Sequence, residues 1–202
     1  MNRKTKRCLM TICGVLICGF SGGIFDFADF GMDPFQVFAH GIWMHTPIAF
    51  GTFYTLISLA MLVIIFFADR TKIGLGTMIN LFLLGYVVQF SSWLWKSVVF
   101  PQAGLPLRAV MLVFAIVLMC LSSSLYFTAD MGVSIYDAVA LILHEKRHWP
   151  FRITRIGTDL LCVAIGFSLG AVVGVGTLVT AFFMGPLISY FNVHVAQKIL
   201  GS

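Results

Sequence analysis

Charge is what this sequence has least of. Asp and Glu number 8 and Lys and Arg 13 in 202 residues, so charged residues make up 10% of the chain against 59% apolar. A soluble domain carries about a quarter of its residues charged, and a chain this poor in charge excludes that class. Also missing is the alternation of apolar and polar residues that marks membrane β-strands, which leaves helices as the spanning element. The cysteines, Cys8, Cys13, Cys18, Cys120 and Cys162, have no metal-type spacing and lie in or beside apolar runs, where they read as small buried residues.

What is present is a series of long apolar runs. A span needs about 20 such residues. Six stretches qualify, at 8–27, 51–68, 76–94, 110–127, 156–173 and 177–195. The first follows Arg3, Lys4, Lys6 and Arg7, but it runs on into Phe25-Asp26-Phe27 without a small-residue cleavage site, so it reads as a span and not a secretory signal. With the amino terminus inside, 11 of the 13 Lys and Arg residues fall on the cytoplasmic side, Arg152 among them, and only Lys96 and Arg108 fall outside. The net charge of +5 therefore points to membrane orientation and anionic headgroups, not to nucleic acid.

Internal repetition is the most specific signal. Ala28-Asp29-Phe30-Gly31-Met32-Asp33-Pro34-Phe35-Gln36 returns 101 residues later as Ala129-Asp130-Met131-Gly132-Val133-Ser134-Ile135-Tyr136-Asp137. Gly74-Leu75-Gly76-Thr77 returns at an offset of 100 as Gly174-Val175-Gly176-Thr177, and Gly51-Thr52 at 106 as Gly157-Thr158. Three blocks in one order indicate a duplication inside a single membrane domain, residues 1–202, with repeat one over about 8–100 and repeat two over about 106–200. Three spans per repeat force the second copy to enter from the opposite side. The predicted fold is all-α integral membrane, six transmembrane helices as two inverted three-helix repeats, each with a short interfacial or re-entrant helix.

Those short helices are predicted at 33–42 and 134–144, just after the first span of each repeat. Asp33 before Pro34, with Gln36 three residues on, is a helix-start pattern, and Ser134 with Asp137 repeats it. They can act as caps alone, or point their amide ends into a central cavity. Gln36 and Asp137 hold equivalent positions, one neutral and one acidic. Asn80 and Thr180 are likewise equivalent, as are Gln89 and Ser189, within the third spans. The candidate solute site is therefore Asp33, Gln36, Asn80, Ser134, Asp137 and Thr180. A second candidate, an anion site at helix starts, comprises Asp29, Gly31, Asp130, Gly132, Thr77 and Thr177, with the two threonines also read as caps. Gly76, Gly85, Gly176 and Gly185 read as sites of close helix packing. Arg155 and Asp159, four residues apart, read as a same-face pair reaching the headgroups.

His144-Glu145-Lys146-Arg147-His148 matches the zinc-protease pattern H-E-x-x-H, yet it sits in a charged connection before Trp149-Pro150 without a third ligand. The expectation is no enzyme, no metal and no cofactor.

The duplicated segments, with Asn80 and Gly185-Pro186, resemble the YczE/YitT-type family of small bacterial membrane proteins over roughly residues 20–191. That resemblance implies a location in the bacterial cytoplasmic (inner) membrane and a permease role. The expected activity is secondary transport of a small polar or anionic solute by alternating access around a midplane site. An accessory or substrate-binding subunit of a larger importer, or a small channel, stands as the alternative. Expected partners are the lipid bilayer and a small-molecule solute, with a homodimer left open and no nucleic acid. Both termini are expected in the cytoplasm.

Overall fold

The computed structural model describes residues 2–201, except the side chains of Phe151 and Arg152. The expectation that Arg152 is a cytoplasmic cation therefore lies outside the described residues. Among the described residues the chain is helical, with no strand: α1 Arg3–Ala28, α2 Pro34–Trp43, α3 Phe50–Asp69, α4 Leu75–Trp93, α5 Leu105–Ala129, α6 Ile135–Arg147, α7 Phe151–Ser168, α8 Val175–Phe182, α9 Met184–Phe191 and α10 Gln197–Leu200.

Helices α1 and α5 form the centre and run antiparallel. Small residues let their backbones close: a Cβ on Gly14 would lie 3.2 Å from the Ser122 carbonyl, and the Ser21 hydroxyl donates to the Ala115 carbonyl at 2.8 Å. Cys18 and Met119, 101 residues apart, meet sulfur to sulfur at 3.6 Å. Both helices end alike, on an aspartate in the left-handed region, Asp29 at φ 59° and Asp130 at φ 48°. Asp tolerates that conformation better than most residues.

Among the described residues four helices are long and apolar enough to cross a membrane: α1, α3 extended to Lys72, α4 extended through a π turn to Val99, and α5. The number becomes five if α8 and the segment Met184–Leu200 count as one span bent by 61°. The expected continuous span at 177–195 is thus broken. Pro186 explains it, because its ring has no N–H to bond to the Phe182 carbonyl and crowds that oxygen. The expected span at 156–173 is also displaced. Helix α7 starts at Phe151 and stops at Ser168, where Gly170, at φ 95°, donates to the Phe167 carbonyl at 3.0 Å and Ala171 to the Gly166 carbonyl at 2.9 Å. This pair of bonds ends a helix through a left-handed glycine.

The two short helices begin where their caps direct. The Asp33 carboxylate accepts from the Gln36 N–H at 3.4 Å and the Ser134 hydroxyl from the Asp137 N–H at 3.1 Å. Each then packs on the second long helix of the other half. Helix α2 lies on α7, where a Cβ on Gly166 would come within 2.4 Å of the Val37 carbonyl. Helix α6 lies on α3 through Ile135, Ala138, Ile142 and Ile65.

Candidate functional site

The duplicated turns are locked by exchange between the halves. The Gly76 N–H donates to the Met131 carbonyl at 2.7 Å, and the Gly176 N–H donates to the Phe30 carbonyl at 2.9 Å. Gly132 and Gly31, at φ 109° and 92°, lie so close to Gly74 and Gly174 that a Cβ would be 2.7 and 2.4 Å away. The ion pairs are exchanged too: Arg7 meets Asp130 at 2.5 Å and Arg108 meets Asp29 at 3.1 Å. Arg7 and Arg108 are themselves 101 residues apart.

This arrangement corrects the helix-start anion site. Asp29 with Gly31 and Asp130 with Gly132 lie at opposite ends of the α1–α5 pair, since the 22 residues from Arg7 to Asp29 span roughly 33 Å at about 1.5 Å each. The Gly76 and Gly176 amides there already bond to carbonyls. Gly74 and Gly174 hold the N-cap positions, and Thr77 caps from the third helical position instead. The Thr77 hydroxyl accepts from the Gly74 N–H at 3.1 Å and donates to the Val133 carbonyl at 2.7 Å. That of Thr177 is buried without a partner. Gly185 makes no close helix contact either, because a Cβ there meets nothing within 4 Å.

The residues of the candidate solute site, by contrast, come together. Asp33, Gln36, Asn80, Ser134, Asp137 and Thr180 all line one cavity of about 750 Å³, reached by residues from both halves. That volume suits a small organic molecule. The starts of α2 and α6 meet there, with Phe35 stacked on its repeat counterpart Tyr136 at 5.0 Å between ring centroids. Gln36 is 2% exposed, and its side-chain oxygen accepts no hydrogen bond. The Thr180 hydroxyl donates to the Thr177 carbonyl at 3.0 Å.

Arg155 and Asp159 line the same cavity, which corrects their expected direction. They are paired as read, at 3.3 Å, but Asp159 is 3% exposed and faces inward. Arg155 bridges it to Asp137, with the guanidinium 4.4 Å above the Tyr136 ring, and the Tyr136 hydroxyl donates to Asp159. Spacing alone cannot orient an i,i+4 pair. The packing of α7 on α2 turns this one toward the centre.

His144 and Glu145 are engaged elsewhere: Glu145 pairs with Lys72, and a His144 ring nitrogen contacts the Trp149 carbonyl. His148 is the left-handed residue that ends α6, at φ 56°.

Apolar helices long enough to span, packed around a central cavity that polar and aromatic side chains line together, define a multi-pass α-helical membrane protein. The chain belongs to the family DUF6198, described as a family of unknown function, whose model matches residues 5–193. It is 25% identical over 175 residues to an uncharacterized protein of Haemophilus influenzae, covering 87% of this chain and 78% of that one. It is 19% identical over 160 residues to the uncharacterized membrane protein YczE of Bacillus subtilis, covering 79% and 73%. These relatives agree with the YczE-type resemblance read from the motifs. No solved structure matches the chain significantly.

Proposed function

We propose that this protein is a non-enzymatic permease of inverted-repeat design, moving a small polar solute across the bacterial cytoplasmic membrane by alternating access around the central cavity. The observation that carries the proposal is the convergence of six polar residues, three from each half, on one cavity where the two short helices begin. Inverted-repeat carriers bind solute at the interface between repeats, near broken or discontinuous helices. The break between α8 and α9 borders this cavity through Phe182, Phe183 and Met184. The antiparallel α1–α5 pair and its exchanged ion pairs support the inversion. On this reading α7 and the bent α8–α9 unit are the fifth and sixth membrane crossings, and both termini lie in the cytoplasm.

The decisive experiment is solute uptake into liposomes holding the purified chain alone. Uptake by the chain alone supports a permease, whereas uptake only with added partner proteins makes it an importer subunit. The inversion has its own test in cysteines placed at Thr46 and Arg147. Labelling of both from one side of the membrane overturns it.

A further inference from the structure

We infer that the solute is an organic cation, an amine or ammonium whose charge lies against Asp33 and whose apolar body lies against the aromatic wall of the cavity. This rests on the permease reading of the cavity and names its substrate class.

The charge count comes first. Three carboxylates line the cavity, Asp33, Asp137 and Asp159, against one cation, Arg155. Arg155 is already committed, paired with both Asp137 and Asp159 and stacked over Tyr136. Asp33 is left with the backbone N–H groups of Gln36 and Phe35, with Arg155 acting on it only from beyond ion-pair distance, and no cation lies within that distance among the described residues. A half-buried carboxylate without an ion-pair partner is costly, and a bound cation offsets that cost while an anion adds to it.

Gln36 points the same way independently. Its side-chain oxygen is a buried acceptor without a partner, on a residue that lines the cavity. An N–H donor satisfies it, and leaving it empty costs a hydrogen bond. The wall beside these two residues is aromatic, with Phe35 stacked on Tyr136 and set edge-on to Tyr54 at 5.6 Å. Ring faces attract a cation, most of all where water is excluded. A site for a proton or a bare ion has no use for about 750 Å³ bounded by rings.

Three probes of one shape and different charge test this: 2-phenylethylamine, 2-phenylethanol and phenylacetate, each added at millimolar concentration to the full chain in detergent. The amine is expected to raise the unfolding midpoint in a dose-dependent way, because a ligand that binds the folded state stabilises it. Asp33→Asn keeps the helix cap, since Asn caps as well as Asp, and is expected to weaken amine binding about thirtyfold or more. Amine affinity in the wild-type chain should also fall as acid protonates the carboxylate, a measurement that needs no variant. Stabilisation by phenylacetate, equal stabilisation by amine and alcohol, no shift with any probe, or full amine binding by Asp33→Asn overturns the inference. Amine binding without amine uptake into liposomes removes the permease reading and leaves the cation site. Uptake of phenylacetate in preference to the amine does the reverse.

Discussion

The two halves of this molecule follow one sequence plan and end in two different states. In the first half α3 lies tight along α4: a Cβ on Gly85 would fall 2.7 Å from the Tyr54 Cβ, and one on Gly51 would fall 2.6 Å from the Tyr86 ring. The Gly51 N–H also donates to Gln89 across that seam at 2.7 Å. In the second half the matching glycines, Gly157 and Gly185, have nothing within 4 Å of an added Cβ. Ser189, where Gln89 stands in the first half, is spent on the Gly185 carbonyl of its own helix. The chemistry differs as well. Arg155, Asp159, Asp137 and Tyr136 form an ionic cluster, while the corresponding positions of the first half are Ala49, Phe53, Gln36 and Phe35. At these matched positions the first half is closely packed and neutral, and the second is open and charged.

The largest expected effect comes from the ionic cluster. Arg155→Met leaves Asp137 and Asp159 buried without a cation and should cost about 3 kcal/mol or more in thermal or denaturant stability. Installing the neutral pattern of the first half, with Arg155→Ala, Asp137→Gln and Asp159→Phe together, should recover most of that loss, since the three act as one unit. A single variant as stable as the wild type would mean that the cluster is already solvated and that the halves differ less than they look.

Next in size is the seam. Gly85→Ala should destabilise by about 1–3 kcal/mol through overpacking against Tyr54, while Gly185→Ala should stay within about 0.5 kcal/mol. Equal costs would show that the second half also closes in the membrane. A solute that drives closure should make Gly185→Ala harmful to transport while leaving stability intact.

How much of this was legible before the structure depends on whether local rules or packing decide. The starts of α2 and α6 follow from Asp33-Pro34 and from Ser134 with Asp137, because caps act within three residues. Duplication marked six equivalent positions, and packing, which the sequence does not show, brings those six to one cavity while it leaves the equivalents Asp29 and Asp130 far apart. The inward turn of Arg155 and Asp159 was not legible, since an i,i+4 pair looks the same whether it faces headgroups or a cavity. The exchange of Arg7 and Arg108 between halves was equally hidden. Both arginines stand at the common offset, but nothing local says that each reaches the aspartate of the other copy. The break at Phe183 had its cause in plain view at Pro186, and the long apolar run masked it.

The smallest effects test where the halves should agree. Asp29 and Asp130 each do two things, pairing with an arginine of the other half and holding a left-handed turn. Their side chains are 46% and 83% exposed, so the pairing is screened, and Asp29→Asn or Asp130→Asn should each cost less than about 1 kcal/mol. Asn tolerates the left-handed conformation, whereas Ala does not, so the alanine variants should cost roughly 1 kcal/mol more than the asparagine ones. The informative quantity is that difference, measured in both halves by denaturant unfolding. Matching values mean that the turn geometry is a shared constraint on which the two unlike states are built. A turn that needs its left-handed residue in only one half would mean that the asymmetry reaches the turns themselves, and that the halves are not interchangeable states of one unit.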